Sequence, residues 1–153
     1  MSSCKHINDS CRAGTHLRNT MEDWLADVFV QAMQFYYGLC PGPLPNVTSE
    51  ACGVLLAEIA VRHREIPTSL LATLVRTMSS SGCCIQQLSD LLDVFLSSSQ
   101  CGRSVYHTVT AIAALQPVYR RARLEQQYNR AELITLKLCD WISDHISECV
   151  RNM

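Results

Sequence analysis

Cys4, His6, Cys11 and His16 place four potential zinc ligands within thirteen residues. Structural zinc sites draw their thiolates from tight Cys-x(2-4)-Cys knuckles, and this spacing does not match, so the segment is expected to be a polar tail. Thiol and imidazole chemistry could also come from a distant Cys–His pair among nine cysteines and five histidines. No local signature supports it. The chain has no phosphate-cradling Gly-rich loop with Lys, no His-Glu-x-x-His and no Gly-x-Ser-x-Gly, and is expected to be neither an enzyme nor a cofactor carrier. Cys83-Cys84 fits packing at a helix start better than a redox pair. His63, in "VRHRE", reads as a solvated helix end, and His107 as a half-buried, hydrogen-bonded residue. Arg120, Arg121 and Arg123 read as a solvated connector, with an acidic partner as the alternative. The most informative group is Arg103, which follows Gly102 in "SSSQCGRSVYHTVTAIAAL", at the mouth of a helix whose body is apolar. A cation there calls for a carboxylate, and Asp93 or Glu58 would serve within the chain.

The elements that position these residues are bounded by composition. The chain has 153 residues, 48% hydrophobic and 18% charged, with thirteen Lys+Arg against fourteen Asp+Glu for a net charge of −1. That suits one globular domain able to bury a core. It also disfavours nucleic acid and anionic membranes as partners. Nine cysteines, odd in number, irregular in spacing and several among apolar residues, fit free thiols in a reducing compartment. "MSSCKHINDSCRAGTHLRN" has no apolar signal core, and no run of about 18 uncharged apolar residues offers a membrane anchor. A cytoplasmic location is expected, and the sequon Asn46-Val47-Thr48 is then accidental.

The pattern divides into a flexible tail over 1–18 and a helical domain over 19–153. An amphipathic helix starts near Thr20 and carries Trp24, Val28, Ala32 and Tyr36, until "GLCPGPLPN" breaks it. Thr48 or Ser49 caps a second helix with Val54, Leu55, Ile59 and Ala60, which runs to about Arg64. A short third helix carries Leu70, Leu71, Leu74, Val75 and Met78. A fourth has Ile85, Leu88, Leu91, Leu92, Phe95 and Leu96 inward, with Asp90 and Asp93 outward. The fifth and central helix begins near Gly102, carries Val105, Val109, Ile112 and Ala113, and is expected to kink or stop at Pro117. Asn129 and Glu132 mark the start of a sixth, with Leu133, Leu136, Trp141, Ile142, Ile146 and Val150. No alternating strand pattern occurs. The expected class is all-α, a bundle of amphipathic helices around an apolar central one.

In this order the helices resemble the Bcl-2 family of apoptosis regulators over roughly residues 20–150. That family's first homology region is a helix, a polar turn, then Asn-Trp-Gly-Arg opening the central helix. "DLLDVFLSSSQCGRSVYHTVTAIAAL" follows this layout, with Gln100, Cys101, Gly102 and Arg103 at the motif positions. "VLLAEIAVRHREIPTSLLATL" is similar to the family's second helix running into the third, about fifty residues upstream, and "LITLKLCDWISDHISECV" resembles its sixth.

The resemblance implies a hydrophobic groove that receives the amphipathic helix of a pro-apoptotic partner of the Bim, Bak or Bax type, the helix-in-groove mode. Arg103 would pair with the ligand's Asp, and Gly102 would give clearance. Leu70, Leu74, Leu88, Leu91, Val94 and Phe95 would wall the groove over a floor of Tyr106 and Val109. The second helix has Leu56, Ala57 and Glu58 where killer relatives carry Leu-x-x-x-Gly-Asp, which favours a pro-survival role. The chain's compactness looks like that of the reduced homologues of large DNA viruses, acting in the cytoplasm or peripherally at host mitochondria. A homodimer formed through the same groove is the alternative.

Overall fold

Helix-ending signals in the loops set the length of each element. The structure, a computed structural model, describes residues 20–40, 42–66, 69, 72, 75–76, 84–97 and 104–153. Among these are five helices: α1 Thr20–Tyr36, α2 Ser49–Glu65, α3 Ile85–Ser97, α4 Val105–Leu124 and α5 Tyr128–Arg151. No strand occurs among the described residues, and the all-α class holds. The expected tail, with its Cys/His cluster, lies outside them. So do Leu70, Leu71, Leu74 and Met78 of the short third helix, whose Ser69, Ala72, Val75 and Arg76 are helical.

α1 differs most from expectation. Every residue from Leu25 to Gln34 is buried, including Asp27, Gln31 and Gln34, so this is not a helix with one wet face. It packs against α2, α4 and α5 together, and that enclosure buries residues on all sides of the helix. Gln31 is buried with its Oε1 accepting the Leu44 N–H at 2.8 Å, which ties the proline-rich loop to the core. α1 stops at Gly38, whose φ of +77° suits glycine. Gly38 N–H donates to Phe35 and Leu39 N–H to Gln34, the paired bonds of a Schellman end. Just past the helix, buried Tyr37 donates its hydroxyl to the Ile112 carbonyl at 2.8 Å and lies 5.0 Å from the Tyr119 ring. Burial, reinforced by Cys139, Tyr36 and Tyr119, pushes that phenol well above the ordinary tyrosine range.

α2 is capped by Thr48, whose side chain accepts from Ala51 N–H at 3.1 Å. Its buried stripe is Cys52, Leu55 and Ile59, while Val54 and Ala60, expected inward, are exposed. α4 starts at Val105 rather than near Gly102, because Ser104 is its cap and its hydroxyl accepts from His107 N–H. It continues unbroken through Pro117 to Leu124. Proline's fixed φ is helical, and its cost is one lost hydrogen bond and the crowding of its ring against the carbonyl four residues earlier. Buried Leu115, Val118, Tyr119 and Ala122 on either side of Pro117 hold both halves in place. The connector around Arg120, Arg121 and Arg123 is therefore helical and contributes Tyr119 and Ala122 to the core, while those three arginines are exposed.

α4 ends in a second Schellman turn. Gln126 N–H donates to Arg123 and Gln127 N–H to Ala122, but the left-handed position, φ +59°, is held by Gln126 instead of glycine. α5 follows with no side-chain cap, so the expected start at Asn129 moves to Tyr128 as the turn reverses the chain. Substituting Gln126→Gly is expected to raise stability by about 0.5–1 kcal/mol, since a Cβ in the left-handed region is strained. A rise in the urea midpoint at constant slope is the readout.

The core joins α1, α2, α4 and α5 directly. α3 packs along α5 and adds Leu88, Leu92 and Leu96 to the common core, where each leucine contributes roughly 1.5–3 kcal/mol by burial.

Candidate functional site

α3 is an amphipathic helix fastened along one side. Lys137 of α5 donates to Asp93 at 2.8 Å, next to the buried stripe of Leu88, Leu92 and Leu96. At about 100° per residue, Leu91 lies almost opposite Asp93 around the helix, with Phe95 between Leu91 and the buried stripe. Leu91 is 38% exposed and Val94 66%, while Phe95 is partly buried against the core. The flank turned away from the Asp93–Lys137 pair is thus an apolar row in contact with solvent.

α2 is placed independently, against α1 and α4. Near the start of α4, Tyr106 is 52% exposed, and the Arg62 guanidinium of α2 lies 4.2 Å from its ring centre. Arg62 also pairs with Glu65 at 2.7 Å. Behind Tyr106, the His107 ring lies 5.6 Å away at a steep angle, with Nδ1 3.0 Å from Ser104 Oγ. The α4 mouth is therefore an aromatic platform covered on one side by a cation. Arg62 was missed as a site residue. Its signal was present, because the stripe Cys52, Leu55 and Ile59 continues at helical spacing onto position 62.

The expected groove residues divide three ways. Leu91, Val94, Phe95 and Tyr106 are accessible or partly so. Leu88 and Val109 are core residues, 0% and 2% exposed. Leu88 belongs to the stripe by which α3 joins the core, and Val109 is one turn deeper than Tyr106, already inside the bundle, so neither offers surface to a ligand. Leu70, Leu74, Gly102 and Arg103 lie outside the described residues. Asp93, considered as an internal partner for Arg103, is engaged by Lys137. His63 is not the solvated residue expected: its Nδ1 is buried with no hydrogen-bond partner among the described residues, and its ring meets Tyr36 of α1 edge-on at 6.0 Å.

On the other flank of α3, a depression of about 370 Å³ lies against α5, walled in part by Lys137, Asp140, Trp141 and Asp144. Burial raises the Asp140 carboxyl above its usual range and Asp144 adds to this, while Lys137 opposes it. Among the described residues no group of three or more His, Cys, Asp or Glu is placed to hold a metal, and no helix is long and apolar enough to cross a membrane.

Comparison with family models, with curated proteins and with solved structures finds no match to this chain.

Proposed function

We propose that this chain is a pro-survival protein of the Bcl-2 type, which inhibits apoptosis by sequestering the amphipathic death-motif helix of pro-apoptotic partners. The observation that carries this is the exposed row of Leu91 and Val94 beside Phe95 on α3, turned away from the contact that fastens α3 to α5. Such a row offers one wall for a ligand's apolar face, and Tyr106 at the α4 mouth adds aromatic surface. The layout of "SSSQCGRSVYHT", in which Arg103 directly precedes the capping Ser104, supplies a cation for the ligand's carboxylate. Capture is stoichiometric, and selectivity follows from groove shape and from whether the ligand offers that carboxylate.

Calorimetric titration with a Bim-type helical peptide tests this on the wild type and on Val94→Glu. Val94 is exposed, so the variant keeps its fold, while a carboxylate facing the ligand's apolar side is expected to weaken binding at least tenfold, about 1.4 kcal/mol. A folded wild type that binds no peptide in a panel of such helices, and is a persistent dimer by light scattering, overturns the proposal in favour of self-association.

A further inference from the structure

The corner between α4 and α5 concentrates charge that the whole chain's balance conceals. Residues 120–130 hold four arginines, Arg120, Arg121, Arg123 and Arg130, against one acid, Glu125, in a protein whose net charge is −1. Glu125 is bonded to Arg121 at 2.7 Å. Arg120 and Arg123 are exposed, and the Arg123 guanidinium lies 5.2 Å from the Tyr128 ring centre.

The same corner carries some of the most exposed apolar side chains described, Leu124 at 71% and Tyr128 at 54%. Beside them an open depression of about 420 Å³ is lined by Ile85, Gln126, Gln127, Tyr128, Asn129 and Arg130. It lies at the first turn of α5, a 24-residue helix that no side chain caps. That turn presents backbone N–H groups and the positive end of a helix dipole. A cationic rim, an uncapped helix start and protruding Leu and Tyr together match a surface of anionic head groups over hydrocarbon. Arginines meet the phosphates, tyrosine suits the interface and leucine enters the acyl boundary.

From this charge and apolar complementarity we infer that the α4–α5 corner is a peripheral docking surface for anionic phospholipid membranes. A partner recognised by charge alone, such as an acidic peptide or a soluble phosphate, would engage the arginines without using Leu124, whereas an anionic bilayer uses both. The surface is independent of the ligand-helix proposal, since it uses none of the residues assigned there.

Flotation of the full chain with phosphatidylcholine vesicles, with and without phosphatidylserine, tests the inference. Binding is expected only to the anionic vesicles, falling steeply with salt. The double variant Arg120→Gln/Arg123→Gln is expected to lower the partition coefficient roughly thirtyfold. Leu124→Ser, which removes the apolar side chain without adding charge, should lower it as well, and excess inorganic phosphate should not displace the protein. All three changes are at exposed helical positions, and circular dichroism verifies the fold. No binding to anionic vesicles, binding indifferent to both variants, or complete displacement by free phosphate overturns the inference. Loss with the arginine variant but not with Leu124→Ser also overturns it, and assigns the patch to a partner recognised by charge alone.

Discussion

Phe29→Ala is expected to destabilise the fold by about 3–5 kcal/mol, the range for deleting a buried aromatic ring. Phe29 is fully buried near the middle of α1, where α2, α4 and α5 converge on that helix. Neighbours on that many sides cannot all collapse into the space left, so the cavity term adds to the lost burial. Against a typical total of roughly 5–15 kcal/mol, this is a large share of the stability. Phe35→Ala, at an exposed position of the same helix, is the control and should cost much less. Urea denaturation of the pair measures the difference. Similar midpoints for the two variants would mean that α1 is a surface helix and not the enclosed one described.

Arg103→Glu is expected to weaken binding of a Bim-type peptide by roughly 2–5 kcal/mol, because charge reversal removes a charge-assisted bond and sets two carboxylates against each other. The α4 cap does not depend on the change, since Ser104 itself supplies the hydroxyl, and circular dichroism should be unaltered. Pairing the variant with a peptide whose motif Asp is replaced by Ala makes a double-mutant cycle. The wild type should lose affinity for the altered peptide, and the variant should scarcely distinguish the two peptides. Equal losses in both proteins would show that Arg103 and the ligand Asp do not meet.

Periodicity and punctuation in the chain were enough to place most elements. Thr48 or Ser49 announced the α2 start, "GLCPGPLPN" the loop after α1, and the apolar spacing from Ile85 to Leu96 the stripe of α3, of which Leu88, Leu92 and Leu96 are buried while Ile85 and Leu91 are exposed, because capping, turn geometry and a 3.6-residue period are local properties. Pro117 does not end α4, for the converse reason. A lost hydrogen bond and a steric penalty are local, but the packing of Leu115, Val118 and Tyr119 that outweighs them is not. The same limit applied to the candidate site. Leu88, Leu91, Val94 and Val109 are equally apolar in sequence, and only the docking of α3 on α5, with α4 inside the bundle, separates the two that face solvent from the two that fill the core. Net charge behaves likewise: −1 describes the whole chain, whereas the arginine-rich α4–α5 corner exists because a helix runs through Pro117 and reverses at Gln126. Residue type and spacing sufficed for which segments are helical. Which side of each helix meets water depended on its neighbours, through burial that is a property of the assembled bundle and of no single segment.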